Sequence, residues 1–369
     1  MMRIRKIETM RVSVPLIKPF KTALRTVTTA YSVFVKLTDE DGRVGWGEAP
    51  PTHVITGDTL ASIEYAITEV IGPQLIGIDI RERESLFRTL KRSIVRNTSA
   101  KAAVDMAIYD LIGQVAGLPL YQFLGGNRHE LETDFTVSVN DPVEMAEDAE
   151  RYIAQGFDVL KVKVGIGEIA EDIGRIRAIR NKVGKDVKIR LDANQGWHPK
   201  EAVFAIGKME DAGLDIELIE QPVLSDDLEG LKYVTDRTLT PIMADESVFS
   251  PKDALRLLEM RAADLMNIKL MKSGGIHEAL KINSLAESYG VECMVGSMIE
   301  TKLGITAAAH FAASQSNVTR FDFDAPLMLT KDVVVGGIQY EGKSIRFSPL
   351  PGLGLIGKEM DQALKEAKK

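Results

Sequence analysis

Apolar and polar positions fall into two regimes along the chain. In residues 1–125 strands come first and helices after. Alternation predicts strands over 4–14, 31–38 and 43–48, with Asp41-Gly42 as a hairpin turn between the last two. A period near 3.6 predicts helices over 59–71, 83–91 and 100–116. In the third, Ala103, Met106, Ala107, Leu111 and Val115 predict one buried face, and Gly117 a stop. This part reads as α+β.

From residue 133 onward short apolar strands alternate with amphipathic helices. Strands are predicted over 133–139, 159–164, 188–194, 216–222, 242–246, 265–270, 292–296 and 320–324, and helices between them, as over 145–155 and 276–289. The strands recur about every 24 to 29 residues, a length suited to a strand–helix unit. Eight strands with seven intervening helices predict a closed parallel barrel rather than an open sheet. No ordinary eighth helix follows. Pro326 and glycine-rich turns suggest that the tail returns to the first domain, and 362–369 reads as a fraying helix. The expected division is 1–125, 126–325 and 326–369.

The composition is that of a globular chain: 369 residues, 45% hydrophobic and 27% charged. A formal charge of −7 without a basic stripe argues against a nucleic-acid partner. No run approaches the roughly 18 apolar residues of a membrane span, and 1–14 lacks the apolar stretch of a signal peptide. A cytoplasmic protein with no membrane partner is expected. The single cysteine, Cys293, lies in an apolar run and reads as a buried structural thiol.

Candidate chemistry sits at the strand ends, where barrels of this kind carry their sites. The second barrel strand ends in Lys161-Val162-Lys163, and the third to fifth bring Asp192, Glu220 and Asp245. The sixth brings Lys269 and the eighth ends Asp322-Phe323-Asp324. Residues two apart on a strand share a face, so Lys161 goes with Lys163 and Asp322 with Asp324. One strand-end acid is ordinarily a solvated rim residue. Three on consecutive strands predict a shared hard cation, Mg2+ or Mn2+, one per subunit. Lys163 and Lys269 flank that trio. Two bases either side of one carbon suit a 1,1-proton transfer, if a nearby cation lowers a lysine pKa from about 10.4 toward 7–8. Lys161 takes an accessory electrostatic role.

These residues, in this order, resemble the enolase superfamily and within it the muconate-lactonizing-enzyme-like group. The resemblance extends over the whole chain and includes the opening 18–25 segment and Gly45-Trp46-Gly47-Glu48-Ala49-Pro50. It implies an α/β fold, a (β/α)7β barrel or modified TIM barrel under an α+β capping domain, and a homo-oligomer. The Asp-x-Asp at 322–324 is similar to that of dipeptide epimerases. It implies a small-molecule dipeptide whose free ammonium meets Asp322 and Asp324, with inversion at the α-carbon of the C-terminal residue of alanyl-glutamate. The same resemblance implies that Arg25 holds the glutamate carboxylate and that Thr136, Ser297 and Ile299 contact substrate. It implies a place in murein peptide breakdown. N-Acylamino acid racemase, o-succinylbenzoate synthase and muconate cycloisomerase are the alternatives within the superfamily; their substrates lack a free ammonium. A Schiff-base lyase and a non-catalytic binder are the alternatives outside it.

Other features have plainer readings. Gly165-Ile166-Gly167 opens a G-x-G-x-x-A pattern, but Glu168 stands where a pyrophosphate would lie, so a turn is expected. Residues 272–275 read as a turn with a helix start. His53, His129, His198, His277 and His310 lie away from the strand ends; His310 reads as a core histidine and His53 as a border residue of the site. Glu48 reads as a structural acid.

Overall fold

The computed structural model describes residues 2–356 and 359–360; the expected helix over 362–369 lies outside the described residues. The chain opens with an antiparallel sheet of β1 (Ile4–Lys21), β2 (Thr26–Asp39) and β3 (Val44–Ala49). The β2–β3 hairpin turns at Gly42, whose φ of +82° suits glycine, and Asp39 accepts the Arg43 N–H at 2.8 Å. Helix α1 (Leu60–Tyr65) widens into a π-type stretch, Ala66–Ile71, and continues as α2 (Gly72–Leu75). Helices α3 (Arg83–Arg92), α4 (Thr98–Ala116) and α5 (Leu120–Leu124) follow.

The expected single buried face of α4 is corrected by the structure. Ala100 to Gly113 is almost wholly buried, including Asp105 and Asp110. The cause is tertiary: β3 packs on one side of α4 and barrel helices on the other. Gly45 and Gly47 make the first contact possible. A Cβ on either would stand 2.1 Å from the Ala107 carbonyl oxygen or 1.8 Å from that of Ala103, so strand and helix meet backbone to backbone.

After β4 (Glu130–Glu132) come eight parallel strands in sequential order: β5 (Phe135–Val137), β6 (Val159–Lys163), β7 (Lys188–Asp192), β8 (Ile216–Glu220), β9 (Ile242–Ala244), β10 (Leu265–Ile268), β11 (Cys293–Val295) and β12 (Val318–Phe321). The Asp134 N–H donates to the Phe321 carbonyl at 3.3 Å, bringing the last strand to the first. The connecting helices are α6 (Pro142–Ala154), α7 (Ile169–Val183), α8 (Pro199–Asp211), α9 (Leu228–Thr235), α10 (Pro251–Met260), the short α11 (Leu270–Ser273) with α12 (Ile276–Ser288), and α13 (Lys302–Ser314). This is the barrel-plus-cap architecture expected from the residue pattern and the resemblance.

Directly after β12 a single 3-10 turn, Ala325–Met328, stands where an eighth barrel helix would lie. The hairpin β13 (Gln339–Glu341) and β14 (Ser344–Arg346) then pairs with β4, an edge too polar to show as an apolar run in the sequence. The chain goes on to bridge Gly352 with Pro119, and the Leu353 N–H donates to Asp110 at 2.8 Å. The segment Leu16–Lys21 straps across the barrel mouth, bridging Leu329 on one side and bonding Ser138 and Val139 on the other.

Gly47→Ala is expected to lower stability by about 1–3 kcal/mol, because neither backbone can retreat without opening the cap core. The midpoint of urea unfolding reads this. An unchanged midpoint would show that β3 slides freely on α4.

Candidate active site

Backbone register places the polar strand ends. Lys161 and Lys163 face the barrel mouth from β6, with Lys163 paired to Asp192 and Asp192 to Glu220. Glu220 pairs with Met243, so Asp245 stands one same-face step beyond its neighbours, past the last residue of β9. The three acids therefore do not share one register row. β10 lies four places from β6 in the order of eight strands. Lys269, just past the end of β10, thus enters from the side of the mouth opposite Lys163.

All these groups are buried, so their charges act with little screening by water. Lys161 Nζ lies 2.7 Å from Glu220, 2.8 Å from Asp322 and 3.1 Å from Asp192. Burial opposes its charge, but the three carboxylates outweigh burial and hold its pKa well above the usual lysine range. Lys163 donates to Asp192 at 2.5 Å and Lys269 to Asp245 at 2.7 Å. Burial lowers the Lys269 pKa and Asp245 raises it; the carboxylate wins, so in this structure Lys269 is held charged. That is opposite to the lowering expected from the sequence, because its nearest neighbour is an anion rather than a cation. Asp192 is pulled down to about 2: burial would raise it, but Lys163 and Lys161 prevail.

Several acids are left underneutralised. Burial and Asp192 push Glu220 up to about 7, and burial with Asp322 pushes Asp324 to about 7. Glu246 rises to about 8 through burial and Asp245. Asn194 Oδ1, Glu246 Oε2 and Asn267 Oδ1 are buried without a donor. This donor set, hard oxygens with an excess of negative charge, fits a divalent cation at Asp192, Glu220 and Asp245. In the arrangement shown the lysines engage those acids, and no three such side chains among the described residues stand ready around one point.

A cavity of about 60 Å3 joins the remaining groups. Lys161, Lys163, Lys269, Asp322, Asp324 and Thr136 of β5 line it from the barrel, with Ser297 and Ile299 on the loop after β11. The cap contributes Arg25, whose guanidinium has no acid partner among the described residues and whose pKa is lowered by burial. The Thr136 N–H donates to Asp324 at 2.6 Å. His53 lies in a neighbouring cavity that shares Arg25 and Ile299. His310 is fully buried, accepts the Tyr121 N–H and is driven by burial to about 3, as a core histidine should be.

Lys272 was missed by the sequence reading. It is 1% exposed, its Nζ lies 2.5 Å from Asp245 Oδ1, and it also bonds the Asp245 and Asn267 carbonyls. The expected turn over 272–275 is corrected: Lys272 and Ser273 close the short α11 and only Gly274-Gly275 turn into α12. The spacing of three from Lys269 was a signal that both lysines share one side of a helical turn. Asn194, which donates to Glu246 at 3.1 Å, and Asn267, which donates to Glu220 at 2.8 Å, complete the polar surroundings.

The profile of the mandelate racemase / muconate lactonizing enzyme N-terminal domain matches residues 5–125, and the enolase C-terminal domain-like profile matches 144–361. The chain belongs to the enolase superfamily. It is 64% identical to the L-Ala-D/L-Glu epimerase of Bacillus subtilis (strain 168), over 99% of this chain and all of that protein. It is 48% identical to the hydrophobic dipeptide epimerase of Enterococcus faecalis, over 96% and 99%. Among solved structures, the substrate-liganded B. subtilis epimerase superposes with a TM-score of 0.96 at 65% identity, covering 96% of this chain and 99% of that one. The E. faecalis dipeptide epimerase complexed with Mg and L-Leu-L-Tyr gives 0.93 at 47%, with the same coverage. The chain is an isomerase of amino-acid derivatives.

Lys161→Met leaves Asp192, Glu220 and Asp322 facing one another without the ammonium between them. The expected cost is about 3–5 kcal/mol, as for a buried pair that loses one partner. Thermal melting in EDTA measures it, and an unaltered midpoint would mean that water already screens the cluster.

Proposed function

We propose that this chain is a Mg2+-dependent dipeptide epimerase, which inverts the α-carbon of the C-terminal residue of L-Ala-L-Glu and L-Ala-D-Glu. One observation carries the reading: two lysines from opposite sides of the mouth line one cavity with an acidic pair and a half-buried arginine that has no acid partner among the described residues. Two amines on opposite faces suit proton removal and return. Asp322 and Asp324 suit a free ammonium, which N-acylated substrates lack. Arg25 suits a carboxylate side chain.

Asp192, Glu220 and Asp245 would hold one Mg2+ per subunit, with Mn2+ a chemically equivalent hard ion. When bound, the ion supplies positive charge for the substrate carboxylate as the α-carbon gives up its proton. The chain's own groups do the rest. Lys163 Nζ takes the α-proton of one stereoisomer, and Lys269 Nζ delivers a proton to the other face. For the opposite stereoisomer their roles exchange. Lys161, already among three carboxylates, helps to hold the negative charge of the enediolate. Thr136 keeps Asp324 aimed at the cavity through its backbone N–H. The cytoplasm, a homo-oligomeric assembly and a role in breaking down murein peptides belong to the same reading.

In D2O with Mg2+, deuterium is expected at the glutamate α-carbon of L-Ala-L-Glu. Lys163→Ala and Lys269→Ala should each lower epimerisation by about 10²–10⁴-fold. Each should still exchange the α-proton of one stereoisomer, and the two variants should choose opposite ones. If both retain the same isomer, the two-base arrangement is wrong.

Arg25→Ala should lower kcat/KM for L-Ala-L-Glu by about 10–100-fold, the worth of a charged hydrogen bond. Activity on L-Ala-L-Leu should change little. Equal losses on both dipeptides would make Arg25 structural.

A further inference from the structure

Outside the proton-transfer site, two buried carboxyl groups from different domains meet beneath a loop that lines the cavity. Glu48 on β3 of the cap is 0% exposed, and Glu300, in the loop between β11 and α13, is 2% exposed. Glu48 accepts the Thr301 N–H at 2.9 Å, the Thr301 hydroxyl at 2.7 Å and the Gly304 N–H at 2.8 Å. A cap residue thereby satisfies the open N–H groups of Thr301 and Gly304 at the start of the barrel helix α13. Glu300 accepts the Met298 N–H at 2.9 Å. A Cβ on Gly304 would lie 2.1 Å from Glu300 Oε2 and 3.2 Å from Glu48 Oε2, so glycine alone leaves room for both carboxyls. The loop they hold carries Ser297, Met298 and Ile299, all in the cavity wall.

We infer that Glu48 and Glu300 are positioning residues that share one proton, carried by Glu300, and fix the substrate-lining loop against the cap. The hydrogen bonds assign the proton. Burial raises the Glu48 pKa as well, but the hydrogen bonds from Thr301 and Gly304 oppose that rise, so with three donors at a helix N-terminus Glu48 is the better satisfied as a carboxylate. Glu300 faces one backbone donor and a neighbouring carboxylate, and burial with Glu48 pushes it up to about 8. The cap therefore does more than cover the mouth. Its β3 sets the shape of the wall built by the seventh barrel strand. Asp105 of α4 makes the parallel contact one unit earlier, accepting the Ile276 and His277 N–H groups at the start of α12.

The two glutamates should respond differently to amidation. Glu300→Gln replaces a protonated acid by a group of the same shape and should keep kcat and KM for L-Ala-L-Glu within about twofold. Glu300→Ala should not, so the amide acts as the rescuing variant. Glu48→Gln turns an NH2 toward donors and should raise KM about tenfold, a change of about 1.4 kcal/mol, with kcat less affected. Hydrogen exchange at 296–304 should quicken in Glu48→Gln and not in Glu300→Gln. Equal damage from both amides would place the proton elsewhere and overturn the assignment. A lower melting temperature with unchanged KM and unchanged loop exchange would reduce the pair to a clamp and overturn the positioning role. Should Glu48→Gln fail to fold, Thr301→Val removes one of the three donors and should raise KM in the same direction; an unchanged KM there counts against the role. The inference uses the epimerase reading only for its assay. If the unmodified protein leaves L-Ala-L-Glu untouched, that reading fails, while the exchange comparison still judges the pair.

Discussion

A buried ammonium surrounded by carboxylates sets the terms for the rest of this molecule. Lys161 touches acids from β7, β8 and the end of β12, so it ties the second strand across the barrel to the fourth and eighth. Removing such charges from water is costly unless each finds a partner at close range. The barrel meets that demand by bringing successive strand ends into register, with Lys163, Asp192 and Glu220 paired along adjacent strands. The same register that spares the charges from isolation makes a reactive surface. Four lysines and a larger set of acids share one small volume, and several acids stay underneutralised. That residual charge is what a divalent ion and a substrate ammonium would complete.

The cap is held by chemistry of the same kind. Glu48, Asp105 and Asp110 are buried acids that accept backbone N–H groups from later parts of the chain. An acid at a helix start meets both the unpaired N–H groups and the positive end of the helix dipole. Such contacts are directional, whereas apolar packing alone would let the domains slide. Gly45, Gly47 and Gly304 matter for the same reason: each allows a close approach that a Cβ would block. Arg25 and the loop carrying Ile299 therefore meet over the lysines in a defined relation.

Much of this was legible in the chain itself. Short apolar runs at regular intervals marked all eight barrel strands, because a strand buried on both faces must be apolar along its length. The polar residues that interrupt those runs at one end were conspicuous for the same reason. Lys163, Lys269, Asp192, Glu220, Asp322 and Asp324 could be picked out before any contact was known. β4, β13 and β14 escaped: each is a three-residue, mostly polar and exposed strand, so no apolar run marks it.

Local sequence thus determined the barrel elements and which end of the barrel gathers the polar residues, because periodicity and strand-end polarity are properties of a few neighbouring residues. Tertiary structure alone decided the partners. Asp245 steps past its strand and bonds Lys269 and Lys272, and this reverses the expected direction of the Lys269 pKa. Glu48 meets Thr301 across 253 residues, and α4 is buried on every side by elements that lie far from it in the chain. Distances between charges depend on how separated segments close in space, and no local pattern encodes that closure.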